Sequence, residues 1–294
     1  MAKSFDNREG WIWMNGLFIP WKDATSHVVT QGLHYASTVF EGERAYKGKI
    51  FKSKEHTERL FKSAEIMGIE IPFSHDEINK AKNDLLQKMN LKNCYVRPIV
   101  WRGSNQMGLS TSNADIHVAI AVWDDWHSYF KIEKRLEGLK LITSPWKRPS
   151  PETAPCNAKA SGPYIICTMS KEFAEKKGYD DALMLDYRNY VAEGTGANIF
   201  FIKGNDIHTP IADCFLNGIT RQTVIEMVKK QGLNLVEKHI LPNEIKNYDE
   251  ALLTGTAAEI TPIKSIDDIN YNTGNNTTSY KLMNDFTNLV NSSI

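Results

Sequence analysis

Strand-forming segments in this chain gather in clusters, and that clustering limits the possible fold more than any other feature. "NCYVRPIVWRG" and "ADIHVAIAVWD" follow two successive helical patterns and are rich in β-branched and aromatic residues. Further on, "DALMLDYRNYVAEGTGANIFFIKGNDIHTP" reads as short strands separated by turn residues. Strands that follow strands disagree with a strict strand–helix alternation. They imply an α+β class with antiparallel or mixed sheets. A length of 294 residues exceeds what one core usually serves, so two domains are expected. The polar, charge-rich segment "DDWHSYFKIEKRLEG" marks the boundary, dividing a smaller N-terminal domain, 1–132, from a larger one, 133–294.

Helical spacing is clear in several places. "GKIFKSKEHTERLFKSAEIMG" runs from strand into helix with Leu60, Phe61, Ala64 and Met67 on one stripe, and Gly68 stands where a C-terminal cap belongs. Ser74 and Glu77 form a capping-box pattern ahead of Ile78, Ala81, Leu85 and Met89. The second half opens with a strand, "LKLITS", and continues into a helix from about Pro163 to Lys177, with later helices at "TRQTVIEMVKKQG" and "TTSYKLMNDFTNLV". No internal repeat is visible, and only "NTGNNTTS" is compositionally loose.

Charge narrows the function classes. Thirty-five basic residues balance 35 acidic ones, which leaves no electrostatic footprint for nucleic acid or an anionic membrane, so a metabolite is the expected partner. The N-terminus lacks a secretory apolar segment, and runs such as "NIFFI" are too short to span a bilayer. A soluble, cytoplasmic protein is expected. Cys94, Cys156, Cys167 and Cys214 show no C-x-x-C spacing, and no H-E-x-x-H occurs, so reduced thiols and no metal are expected. Spacing alone permits a Cys156–Cys167 disulfide, which a reducing compartment disfavours.

The stretch "PCNAKASGPY" places Lys159 among small residues. Most loop lysines are simply solvated. Ala158, Ala160, Ser161 and Gly162, however, would let a planar ligand approach the amine, and a desolvated amine is a nucleophile toward carbonyls. In "VAEGTGANIFF" the glycines do not complete a dinucleotide fingerprint, so Glu193 is either a turn acid facing water or the partner of a protonated ring nitrogen. Gly218, Ile219 and Thr220 precede an amphipathic helix whose first N–H groups could face an anion. Gly255, Thr256, Ala257 and Ala258 form a small-residue turn able to do likewise, and Arg59 could add a charged fork. Singly these are ordinary features; together they are the components of a pyridoxal-phosphate enzyme.

With these residues in place, the chain resembles the branched-chain amino-acid aminotransferases, of the fold-type IV class of pyridoxal-phosphate enzymes. "LHYASTVFEGERAY", "HTERLFKSA", "YVRPIVW", "AKASGPY", "EGTGANIF", "GITR" and "GTAAEITP" occur in that family's order across residues 11–262. The resemblance implies that Lys159 carries pyridoxal 5'-phosphate as an imine and moves the substrate proton, that Glu193 pairs with the pyridine nitrogen, and that Tyr164 meets the phenolic oxygen. It implies a phosphate cup from Arg59, Ile219, Thr220 and Thr256. For the substrate it implies Tyr95, Ala257 and Ala258 at the α-carboxylate, Arg97 at the distal carboxylate of glutamate, and an apolar wall from Phe40, Tyr35, Trp126 and Tyr129, with Gly42 beside it. Tyr95 and Arg97 lie two apart on a strand and so share a face. Met107 and Leu109 resemble a loop that enters the neighbouring subunit's pocket in family dimers, and the active site is expected between the two domains.

The implied reaction is a ping-pong transamination of L-leucine, L-isoleucine and L-valine with 2-oxoglutarate, giving branched-chain 2-oxo acids and L-glutamate, within branched-chain amino-acid biosynthesis and in a homodimer. D-amino-acid aminotransferases and aminodeoxychorismate lyases share the lysine, the acid and the phosphate cup, and a non-catalytic ligand-binding homologue is a reading of another class. "YVRP" and "QMGL" favour the branched-chain reading, while Ser161 and Pro163 depart from the glycine and asparagine that relatives often carry. Glu43 stands at a usually apolar place near the expected pocket rim.

Overall fold

In the computed structural model, which describes residues 4–124 and 132–292, the chain divides into two compact units. The described residues pass from one unit to the other between 124 and 132, and Ala158–Gly162 return to the first. No helix among the described residues is long and apolar enough to cross a membrane.

The first unit holds β1 (Trp11–Met14), β2 (Leu17–Pro20), α1 (Gln31–His34), β3 (Thr38–Phe40), β4 (Glu43–Tyr46), β5 (Lys49–Ile50), α2 (Ser53–Ile66), α3 (His75–Lys88), β6 (Cys94–Arg102) and β7 (Ile116–Trp123). Its antiparallel sheet runs β2-β1-β7-β6-β4-β5, with β3 also paired to β6. Strand alternation on β6 sends Cys94, Val96 and Val100 into the core, where Leu60, Ala64, Ile78 and Leu85 of the two long helices meet them. Both helix signals of the sequence are present. Gly68 follows α2 at φ +62, and Ser74 exchanges capping bonds with Glu77, 3.2 Å from Glu77 N–H to Ser74 Oγ and 2.7 Å from Ser74 N–H to Glu77 Oε2.

Glu43 does not lie on a pocket rim. Its carboxylate is fully buried and paired with the equally buried Lys82, whose Nζ donates to Oε2 at 2.9 Å, to Thr57 Oγ1 at 2.7 Å and to Ser53 O at 3.1 Å. A charge at this position is tolerated because a helix opposite supplies its counter-ion and every donor is used.

The lysine segment also departs from its expected place. Although its position in the chain assigns Lys159 to the C-terminal domain, residues 158–162 cluster with the first unit because they pair with β3. Ala160 bridges Val39, Phe40 N–H donates to Lys159 O at 3.0 Å, and Ser161 N–H donates to Thr38 O at 3.0 Å. Lys159 N–H donates to Ser63 Oγ of α2 at 2.9 Å.

The second unit holds α4 (Ile132–Glu137), β8 (Leu139–Arg148), α5 (Tyr164–Lys176), β9 (Asp181–Asp186), β10 (Val191–Glu193), β11 (Asn198–Lys203), β12 (Asp206–Pro210), α6 (Ile219–Lys230), β13 (Asn234–Lys238), β14 (Glu250–Gly255), β15 (Glu259–Ile266), β16 (Ile269–Asn270) and α7 (Thr278–Ser292). Its sheet is mixed: β8 runs parallel to β9 and β15, and β12 parallel to β13. The order is β10-β9-β8-β15-β14-β11-β12-β13, and β10 also pairs with β11, so six strands close a ring without free edges. Leu139, Leu141, Leu183, Ile199, Phe201, Leu253 and Ile263 fill it. Glu193 stands where the ring closes, opposite Asn198.

Replacing Lys82 by methionine leaves the Glu43 carboxylate buried and alone, which should lower the unfolding free energy by about 3–5 kcal/mol. The double variant K82M with Glu43→Leu should recover most of that loss in urea denaturation. Equal midpoints for K82M and the parent would contradict the pairing.

Candidate active site

In the first unit the residues singled out from the sequence converge on one aromatic ring. Lys159 Nζ stands 4.8 Å from the centroid of Phe40, and the Arg97 guanidinium stands 4.9 Å from the same centroid. Two cations therefore share one apolar side chain. The pairing of 159–161 with β3 sets the lysine, and the outward register of β6 sets Arg97 beside Tyr95. Arg97 Nη2 donates to Tyr95 Oη at 3.2 Å, while its buried Nε has no hydrogen-bond acceptor among the described residues. The Tyr95 ring stacks on Trp123 at 4.9 Å. Gly42 permits this placing of the ring, since a Cβ there would come within 2.0 Å of Tyr95 Oη unless the tyrosine moved.

Desolvation pulls the Lys159 amine down to about 8, with the positive Arg59 and Arg97 adding to the effect and Glu41 opposing it. A substantial neutral fraction is thus available near physiological pH.

Arg59 is gripped by an acid not anticipated from the sequence. Its Nε and Nη2 donate to Glu41 Oε1 and Oε2 at 2.6 and 2.9 Å, and His56 Nδ1 lies 2.7 Å from Oε2. Burial pushes the Glu41 carboxyl up, but Arg59 and His56 outweigh it and hold the group well below the usual carboxylate range. The two bonds fix the orientation of the Arg59 guanidinium.

In the second unit, burial of Arg148 opposes its charge while Glu193 restores it, and Arg148 remains a cation. Its Nε stands 3.3 Å from Glu193 Oε1, and Asn198 Nδ2 donates to Glu193 Oε2 at 3.1 Å. These contacts favour the ionised acid. Arg148 Nη1 also donates to Cys167 Sγ at 3.3 Å on α5, the helix that Tyr164 opens. Ile219 and Thr220 form the first turn of α6, and Gly218, its N-cap, makes no side-chain capping bond. The turn of Thr256, Ala257 and Ala258 joins β14 to β15. Helix start and turn each offer backbone donors of the kind that hold phosphate.

Other expected residues are exposed or lie outside the described residues. Tyr35, Met107 and Leu109 are exposed. The ring of Tyr35 lies against that of His34. Gln31, buried and not singled out from the sequence, fixes the loop of Met107 and Leu109 by donating from Nε2 to the carbonyls of Gln106, Gly108 and Ser110 at 3.2, 3.3 and 3.1 Å. Trp126 and Tyr129 lie outside the described residues.

The family model for amino-transferase class IV matches residues 38–266. A branched-chain-amino-acid aminotransferase of Pseudomonas aeruginosa is 45% identical over 268 residues, which cover 90% of this chain and 87% of the relative. Among solved structures, the branched-chain aminotransferase of the archaeon Thermoproteus uzoniensis with norvaline superposes with a TM-score of 0.91 at 33% identity, covering 97% of this chain and 96% of that one. The branched-chain amino acid aminotransferase of Thermobaculum terrenum, in its PLP-form, gives 0.88 at 29% identity, covering 97% and 95%.

The lowered Lys159 value fixes a pH dependence. Its neutral, nucleophilic form accumulates as pH rises through about 8, well before the 10.5 of an ordinary lysine. In ligand-free protein, acylation of Lys159 followed by peptide mass spectrometry should rise with that midpoint. A midpoint at the ordinary value would contradict the desolvated setting.

Proposed function

Since the chain belongs to the class IV aminotransferases, and within them to the branched-chain-amino-acid aminotransferases, we propose that it transfers the amino group of L-leucine, L-isoleucine or L-valine to 2-oxoglutarate, reversibly, on pyridoxal 5'-phosphate. The observation that carries this reading is the placing of Lys159 Nζ and Arg97 at one ring, Phe40.

The residues fit the coenzyme. Lys159 offers a partly neutral amine for its aldehyde, Glu193 a carboxylate for its ring nitrogen, and Tyr164 a phenol for its phenolic oxygen. Arg59, Thr256 and the first N–H groups of α6 at Ile219 and Thr220 offer donors for its phosphate. When bound, pyridoxal 5'-phosphate supplies an aldehyde that accepts the amino group and a ring that accepts electrons. Lys159 Nζ then acts as the base that takes the proton from the substrate's α-carbon and later returns it. For the α-carboxylate, Tyr95 offers its hydroxyl, and the turn of Thr256, Ala257 and Ala258 offers backbone donors.

One pocket has to admit an apolar and an anionic side chain in turn. Phe40 offers the apolar surface, joined in this reading by Tyr35, Trp126 and Tyr129. Arg97, whose buried Nε has no acceptor among the described residues, offers the partner for the distal carboxylate. With Phe40 and Tyr95 already against its guanidinium, the cation need not lose a counter-ion when leucine enters. The exposed Met107 and Leu109, on the loop that Gln31 secures, are assigned to a contact with a second copy of the chain in a homodimer.

Purified protein should convert L-leucine with 2-oxoglutarate and leave D-alanine and 4-amino-4-deoxychorismate untouched. Arg97→Ala removes a charged hydrogen bond worth about 2–3 kcal/mol, so kcat/KM for glutamate should fall about 100-fold while leucine changes little. Equal losses for both substrates would show that Arg97 does not distinguish them.

A further inference from the structure

We propose that Asn198 is a positioning residue that joins the ring-nitrogen acid to the phosphate-holding helix start, keeping the two in register for one ligand. This inference rests on the reading of Glu193 and α6 given above.

Asn198 opens β11 and is 5% exposed. A buried asparagine is a poor choice for a strand unless its amide is satisfied. Here Nδ2 donates to Glu193 Oε2 at 3.1 Å and to Leu216 O at 3.0 Å, while Oδ1 accepts from Gly218 N–H at 3.1 Å. Both donors meet acceptors and the acceptor meets a donor, so the amide has one orientation. Its two ends reach two different functional elements. The Nδ2 end fixes the second oxygen of an acid whose first faces Arg148, and the Oδ1 end fixes the residue that caps α6.

Gly218 supports the same reading. Its φ of −59° suits any residue, so conformation does not require glycine there. A Cβ at 218, however, would lie 2.3 Å from Asn198 Oδ1. Glycine therefore permits the close approach of the amide. A serine or aspartate cap would spend its own oxygen on the first N–H groups of the helix. Glycine leaves those donors to a ligand, and Asn198 anchors the turn from outside.

Asn198→Asp separates the two ends. Size and the acceptor toward Gly218 N–H are kept, but a carboxylate replaces the donor at Glu193. Glu193 is then driven toward its neutral form, which cannot hold a ring-nitrogen proton by charge. A merely structural asparagine would weaken all ligands alike.

The test titrates ligand-free wild type and N198D with pyridoxal 5'-phosphate and with its analogue carrying carbon in place of the ring nitrogen, by absorbance. Wild type should prefer the natural coenzyme. N198D should lose that preference by about tenfold or more, the equivalent of one pKa unit at Glu193, while affinity for the carbon analogue changes little. Gly218→Ala, which pushes on Oδ1, should shift the preference the same way and carries the comparison if N198D does not fold. Parallel weakening of both ligands, or an undiminished preference in the variants, overturns the role of Asn198. A wild type that binds both ligands equally overturns instead the assignment of Glu193 to the ring nitrogen.

Discussion

Pairing of residues 159–161 with β3 is the constraint on which the chemistry depends. It holds the Lys159 backbone at its C=O while Ser63 holds its N–H, so the side chain leaves a fixed point beside Phe40. An amine on a free loop would remain hydrated and protonated. Here desolvation and two neighbouring arginines lower its proton affinity, and a basic side chain becomes a usable nucleophile.

Several buried charges of each unit are met by partners of opposite charge. Glu41 neutralises Arg59 through two bonds, which fixes the orientation of its guanidinium. Arg148 and Asn198 set a cation and a donor against the buried Glu193, so its carboxylate does not stand alone. The Glu43–Lys82 pair serves no ligand in this account. It ties β4 to the α2–α3 layer and shows how this chain accommodates a charge at a position where an apolar residue would suffice.

Parts of the fold and of the candidate site were legible in the sequence because their signals are local. Small residues around Lys159, the two-residue spacing of Tyr95 and Arg97, the glycine before α6 and the capping box of α3 each act within a few residues. What was not legible depends on distant partners. Residues 158–162 bond to β3, which lies far earlier in the chain, and nothing in their own pattern announces that strand. Glu41 and Glu43 lie two apart, and only the packed helices reveal that one meets Arg59 and the other Lys82. Neither Arg148 nor Asn198 was singled out from the sequence, because only the closed ring of the second unit sets them against Glu193.

The proposed chemistry requires a vitamin B6 aldehyde to attach to the chain at one lysine. Borohydride reduction of the coenzyme-loaded protein, followed by proteolysis and mass mapping, tests it directly. A single coenzyme adduct on the peptide containing Lys159 is expected. An adduct on another lysine, or none, would contradict it.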